Sequence, residues 1–232
     1  MLKSQNRLLL LLGVILAALA LVGAAIVSSS ASAKYRDGSW YGVAKDPAHS
    51  DTVVEVVIKG GKITDVNVIM PTEEYVKGEK YAPALEAYTK IPKAIVEKQS
   101  PNIDVVSKAT GSSKRYIQAV TMALANAEAK GPLKGGAKWH DGNYVGVVRD
   151  PKHGDVIVEV VIRNSKMAEV NVISPTAKQM ADYKYAPGKE AYKEIPARIL
   201  KAQSPDVDIY TGATSSSKKY MDAVRGALKQ AE

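Results

Sequence analysis

Apolar and polar positions alternate along this chain with two different periods, in an order that occurs twice. Trp40 to Lys45 opens a run of strand character just after Asp37-Gly38. Thr52 to Ile58 is rich in β-branched residues and alternates around Glu55, Gly60-Gly61 offers a tight turn, and Ile63 to Ile69 returns as a third strand. The period then lengthens. Tyr81 to Tyr88 and Ile91 to Gln99 read as a helical region, with Pro92 in a first turn and Ile91, Ile95 and Val96 on one face. A last helix is predicted from Ser112 to Glu128, where Tyr116, Val120, Leu124 and Ala127 hold helical spacing.

The whole pattern recurs 104 residues later, without a gap: Asp37-Gly38-Ser39-Trp40-Tyr41-Gly42-Val43 returns as Asp141-Gly142-Asn143-Tyr144-Val145-Gly146-Val147. Ile91-Pro92 falls on Ile195-Pro196, Gln99-Ser100-Pro101 on Gln203-Ser204-Pro205, and Tyr116, Val120, Leu124 and Ala127 on Tyr220, Val224, Leu228 and Ala231. A unit of this length is too long for a solenoid repeat and reads as a duplicated domain. Lys130-Gly131-Pro132-Leu133-Lys134-Gly135-Gly136 breaks the pattern and reads as a linker. The expected organisation is residues 34–129 and 137–232 as tandem domains, 130–136 as linker, and 1–33 apart. The expected fold class is α+β: two small domains, each an antiparallel sheet with helices packed on it, after an N-terminal apolar helix.

That N-terminal segment has the form of an export signal. Lys3 and Arg7 precede an unbroken apolar or glycine run, Leu8 to Val27, and Ala31-Ser32-Ala33 has the small-x-small pattern of a signal-peptidase site. The run is also about the length that spans a bilayer. It serves either as a retained membrane anchor or as a signal peptide cleaved after Ala33. Both place the rest of the chain outside the cytoplasm.

Composition narrows the chemistry. The 232 residues contain no Cys and no Phe, with 12 Tyr and 2 Trp. Without cysteine there can be no thiolate-held iron–sulfur cluster, c-type haem, disulfide or thiol catalysis. Three histidines leave little room for bis-His haem. The formal charge of +8 comes from scattered rather than striped lysines, which suits a solvated surface or an anionic partner and argues against nucleic acid. No nucleophile elbow, P-loop or dinucleotide fingerprint occurs.

The stretch with chemical potential precedes the last helix of each unit. In the second it reads Asp208-Ile209-Tyr210-Thr211-Gly212-Ala213-Thr214-Ser215-Ser216-Ser217-Lys218. A glycine among small hydroxyl residues at a helix start suits an anion, because the first N–H groups and the dipole point at it. The same residues also suit an ordinary helix cap. The order Asp-x-x-Thr-Gly-Ala-Thr, late in a unit that opens with Asp-Gly-x-Tyr and a Val-rich hairpin, resembles the FMN-binding domain family. That family includes the C subunit of sodium-pumping NADH:quinone oxidoreductase, the G subunit of the Rnf complex and exported flavoproteins of extracellular electron transfer. The resemblance covers both units. It implies FMN joined through its phosphate to the Thr214 hydroxyl by a Mg²⁺- and FAD-dependent flavin transferase that releases AMP. Asp208, Thr211, Gly212 and Ala213 would be the recognition frame. The first unit reads Asp104-Val105-Val106-Ser107-Lys108-Ala109-Thr110 and departs from the motif, with Lys108 where glycine is expected. Asp104, Ser107, Ala109 and Thr110 would be the matching residues there.

The resemblance therefore implies an electron carrier and transferase substrate rather than a catalyst. Its partners would be the transferase, a membrane redox donor and an acceptor in the periplasm or beyond the cell. Non-covalent FMN binding and a degenerate exported structural or adhesion module are the alternatives. Two further groups recur. Asp46-Pro47-Ala48-His49-Ser50-Asp51 matches Asp150-Pro151-Lys152-His153-Gly154-Asp155 and reads as a polar hairpin loop rather than a metal site. Tyr81 with Tyr185, and Tyr88 with Tyr192, are expected to pack, with stacking on a flavin ring as the other reading.

Overall fold

The computed structural model describes residues 33–78 and 81–232, of which Lys34–Glu232 form one compact unit. The apolar run from Leu8 and the serine-rich stretch through Ser32 lie outside the described residues, and so does the N-terminal helix expected there. Among the described residues no helix is long and apolar enough to cross a membrane.

The first repeat contains β1 (Gly38–Ala44), β2 (Thr52–Lys59), β3 (Lys62–Met70), α1 (Glu73–Gly78), α2 (Ala82–Lys98) and α3 (Thr110–Ala127). The second contains β4 (Gly142–Val148), β5 (Val156–Arg163), β6 (Lys166–Ser174), α4 (Ala177–Asp182), α5 (Ala186–Ala202) and α6 (Thr214–Gln230). Each triplet of strands forms its own antiparallel sheet, in the orders β1-β2-β3 and β4-β5-β6. The expected α+β class with two sheet-and-helix modules is what the chain adopts.

The turn between the second and third strands is stapled by the aspartate that opens each repeat. Asp37 accepts the Gly60 and Gly61 N–H groups, both at 2.8 Å. Asp141 accepts those of Asn164 at 2.9 Å and Ser165 at 2.8 Å. This explains why Asp-Gly begins each unit, a role that strand periodicity does not reveal. Gln99 and Gln203 act similarly just past α2 and α5. Their side-chain amides accept from and donate to the backbone of Ile63 (2.8 and 2.7 Å) and Met167 (both 2.8 Å), holding the helix end to the third strand.

Two element boundaries depart from the pattern reading. The segments around Tyr81 and Ile91 are one continuous helix. Pro83 and Pro187 occupy the first turns, and Pro92 and Pro196 lie inside. Burial of Ala87, Ile91 and Ile95 along one face outweighs the backbone bond that the interior proline removes. The last helix starts at Thr110 and Thr214, two residues before the position expected from Ser112 in the first repeat, which puts each threonine in its first turn.

α3 and α6 lie directly on the first strand of their repeats. A Cβ on Gly42 would come within 1.9 Å of the Ala119 carbonyl oxygen, and one on Gly146 within 1.7 Å of that of Ala223. Only glycine lets helix and strand backbones meet this closely. The opposite sheet faces join the repeats, through Val43, Val53 and Ile69 against Val145, Ile157 and Ile173. Edge strands β1 and β4 are covered by reciprocal side chains. Asn126 from α3 donates to the Asn143 carbonyl at 2.6 Å, while Gln230 from α6 accepts the Tyr41 N–H at 3.2 Å and donates to the Val145 carbonyl at 2.7 Å. Arg36 donates to the carbonyls of Asn126 (3.0 Å) and Gln230 (3.1 Å), so one cation serves the C-terminal ends of both long helices.

Gly146→Ala is expected to cost about 3 kcal/mol or more, since no side-chain rotation relieves a clash with backbone. Urea titration of the purified variant checks this. A second expectation concerns acid. The hairpin N–H groups hold the Asp37 and Asp141 carboxyls below the usual carboxylate range. Their contribution is therefore complete above about pH 5, and it fades as pH falls through and below about 4. Thermal midpoints measured against pH should fall less steeply on the acid side in the Asp37→Asn/Asp141→Asn variant.

Candidate functional site

The loop before each long C-terminal helix is set by the same three contacts in both repeats. A buried serine one turn into the helix accepts a loop N–H: Ser113 from Val106 and Ser217 from Tyr210, both at 3.0 Å. The N–H groups of Ala109 and Ala213 close a tight turn on the carbonyls of Val106 and Tyr210, at 3.0 and 2.9 Å. A tyrosine at the start of the preceding helix then holds the motif's fifth residue. Tyr185 donates to the Gly212 carbonyl at 2.7 Å, and Tyr81 donates to that of Lys108 at 2.5 Å. Tyr81 and Tyr185 thus clamp the loop, while Tyr88 and Tyr192 pack edge-on against Tyr116 and Tyr220.

This geometry requires a left-handed backbone at one residue, with φ of 82° at Gly212 and 62° at Lys108. Lys108 therefore adopts the conformation of the motif glycine at a steric cost, and its loop keeps the same bonds. A Cβ at Gly212 would also lie 3.2 Å from the Pro187 side chain.

The helix starts are not capped as the hydroxyl-rich sequence suggested. The residue before each helix is Ala109 or Ala213, and neither helix receives a side-chain capping bond. The N–H groups of the first turn, at Thr214, Ser215 and Ser216 in α6, are left for another acceptor. Thr110 and Thr214 are exposed, while the alanines before them are buried. Unclaimed donors, a positive helix end and an accessible hydroxyl together suit a phosphate, so the residues present fit the phosphate end of FMN.

Thr214 stands at a cleft of about 420 Å³, within the size range of cofactor sites. Gly212, Ala213, Thr214, Ser215 and Ser216 form one side, Tyr183 and Tyr185 another, Met180 and Tyr220 its inner surface, and His153 to Val156 the rim. Of the sequence-predicted residues, Gly212, Ala213 and Thr214 line it. Thr211 lines a separate depression with Pro187, Arg198 and Tyr210. Asp208 sits further back, its carbonyl accepting from Arg198 at 3.2 Å. The first repeat has an equivalent cleft of about 400 Å³, with Ser112, Arg115, Tyr116, Tyr75 and His49 among its lining. Asp104, Ser107, Ala109 and Thr110 are not among the residues lining that cleft.

The aspartate loops serve these clefts structurally. Asp46 accepts the N–H groups of Ala48 (3.0 Å) and His49 (3.1 Å) and pairs with Arg115. Asp150 accepts those of Lys152 and His153, both at 3.0 Å, and pairs with Lys219. The Lys219 ammonium, more than any other group, holds the Asp150 carboxyl well below the usual carboxylate range. Each loop is thereby tied to the second turn of the site helix. Ser113, Ser217, Arg115, Tyr116 and Tyr220 were not singled out as site residues. Their only sequence signal is that helical positions recur at the repeat offset.

The comparisons with known proteins bear on the same segments. The family model described as FMN-binding domain matches residues 48–125 and again 152–229. The chain belongs to the FMN-binding domain family. Membership makes it a flavoprotein with FMN as cofactor, and the two matched segments each carry a loop, cleft and threonine-led helix. Over 106 residues the chain is 28% identical to a protein named NADH:fumarate oxidoreductase from Klebsiella pneumoniae (strain 342). That alignment takes in 46% of this chain and 11% of the relative, so the chain spans about a tenth of that protein's length. The crystal structure of the CPE2226 protein from Clostridium perfringens shares 25% identity, with a TM-score of 0.34, covering 40% of this chain and 88% of that one.

Relieving the left-handed strain at Lys108 should stabilise the first repeat. Lys108→Gly is expected to gain about 0.5–1 kcal/mol, and Gly212→Ala to lose about 1–2 kcal/mol, in denaturant unfolding.

Proposed function

We propose that the chain is an extracytoplasmic electron carrier with FMN bound covalently, through its phosphate, to Thr214 and to Thr110. The observation that carries this reading is the exposed Thr214 hydroxyl in the first turn of a helix without a side-chain cap, at the mouth of a cofactor-sized cleft. Attachment follows the family's chemistry. The Thr214 hydroxyl oxygen forms a bond to the FMN phosphorus of FAD, the pyrophosphate bond breaks, AMP leaves and the hydroxyl proton is lost. A Mg²⁺-dependent flavin transferase performs the step, with Asp208, Thr211, Gly212 and Ala213 as the segment it reads. The first-turn N–H groups of this helix, which no side chain caps, would hold a phosphate joined there.

FMN supplies one- and two-electron transfer when bound. The residues of the chain hold it, orient it and keep it from diffusing away. We take residues 34–129 and 137–232 as the two flavin modules. The left-handed Lys108 backbone and the retained loop bonds support Thr110 as the second acceptor. The basic, apolar and small-residue pattern of 1–33 supports export, either anchored or cleaved after Ala33. A membrane donor and an acceptor in the periplasm or beyond the cell follow from that placement. Tandem flavins on one compact unit would extend the reach of transfer between them.

Intact mass and peptide mapping after co-expression with a flavin transferase test this. The expected gain is two FMN groups, on Thr110 and Thr214, and Thr214→Ala should remove the adduct from the second-repeat peptide alone. A chain that gains no mass yet retains FMN until denatured would replace the covalent reading with a non-covalent one. A colourless chain from such a host would leave only an exported structural module.

A further inference from the structure

The clefts contain one feature that the attachment chemistry does not use. Tyr220 and Tyr116 line the inner surface of the second and first cleft and are 3% and 4% exposed. Buried tyrosine hydroxyls normally find a partner, and others here do. Fully buried Tyr144 donates to the His140 carbonyl at 3.0 Å, and half-buried Tyr41 donates to Glu55 at 3.1 Å. The hydroxyls of Tyr116 and Tyr220 meet no hydrogen-bond partner among the described residues. Nor are they sealed, since Arg36 Nε is the one side-chain polar atom there that is both fully enclosed and unpartnered. Each ring makes edge contact with Tyr88 or Tyr192, and each residue lines its cleft. Burial pushes the Tyr116 phenol up to about 12 and the Tyr220 phenol further up, so both keep their proton and offer a neutral donor.

Position along the helix selects what such a donor meets. Tyr220 lies six residues beyond Thr214, about 9 Å along the axis at roughly 1.5 Å per residue. A phosphate at the helix start is out of reach over that distance, whereas the far end of an elongated ligand is not. The surroundings suit a flat ring. Met180 lies nearby, and Tyr183 is seated so directly on α5 that a Cβ on Gly188 would fall 2.6 Å from its ring.

We propose that the Tyr220 hydroxyl donates a hydrogen bond to an acceptor atom on the isoalloxazine ring of the flavin in the second cleft, and that Tyr116 does the same in the first. This rests on the reading that FMN occupies these clefts. Tyr220 is a positioning and tuning group there, acting on the ring and not on attachment. A neutral donor favours the more electron-rich reduced ring, so the bond raises the midpoint potential.

Tyr220→Phe keeps the ring and removes only the oxygen. In a Thr110→Ala background, so that one flavin is read, the chain carrying Tyr220→Phe should gain the same FMN mass as its parent and show a lower midpoint potential. In a Thr110→Ala/Thr214→Ala background titrated with free FMN, the same change should weaken binding by about 3- to 10-fold, the value of one hydrogen bond. Unchanged potential and unchanged affinity would overturn the proposal while leaving FMN in the cleft. Absence of both FMN mass and free-FMN binding in the wild-type chain would instead overturn the occupancy reading, and the proposal with it.

Discussion

The contact of helix backbone on strand backbone at Gly42 and Gly146 is the constraint from which the rest of this structure follows. α3 and α6 can approach the sheet so closely only because nothing projects from those positions toward the carbonyls of Ala119 and Ala223. That approach fixes the helix axis. The N-terminal turn is then carried to the edge of the sheet, where the Asp46 or Asp150 loop crosses and pairs with Arg115 or Lys219. Each cleft is the space left between that loop, the short α1 or α4 helix and the held helix start. Close packing transmits such a placement without slack, because interior side chains have no free volume in which to absorb it.

The same helices also join the repeats. Their C-terminal residues Asn126 and Gln230 cross to the opposite repeat's edge strand, and Arg36 binds the final carbonyls of both. Glu159, a buried acid on the shared face, is met by Asn143 at 3.1 Å and, across the interface, by Lys45 at 3.3 Å. A buried carboxylate left alone would be costly, so this pair favours the observed apposition over a loose one. One end of each helix thus borders a cleft while the other locks the modules together. The spacing between clefts is consequently a property of the folded unit and not of a flexible linker.

The two sites are built alike but not identically. The loop bonds, tyrosine clamps and inner tyrosines repeat, whereas Lys108 replaces Gly212, Arg115 replaces Lys219, and Tyr75 stands where the second cleft has Gln179. Thr214 belongs to the wall of its cleft and Thr110 does not. Different surroundings for one cofactor are how a protein gives two copies different electronic properties.

Strand and helix identity and the duplication were legible in the sequence because each depends on neighbours a few residues apart or on a fixed offset. Period-two alternation marked the strands, helical spacing marked α3 and α6, and the exact offset revealed the repeat. The stapling role of Asp37, the crossing of Gln230 to Tyr41 and the tie of Asp150 to Lys219 were not legible. Each joins residues that are local in space and remote along the chain. The continuity of α2 and α5 through an interior proline was hidden for the same reason, since burial of Ile91 and Ile95 decided it against local propensity. Sequence alone placed the hydroxyl-rich motif at a helix start. Tertiary structure decided that its helix start would be left without a side-chain cap, and that Thr214 and a tyrosine nearly two turns away would line the same cleft. Hydrogen-bond satisfaction and burial are settled only when the whole chain has closed around them.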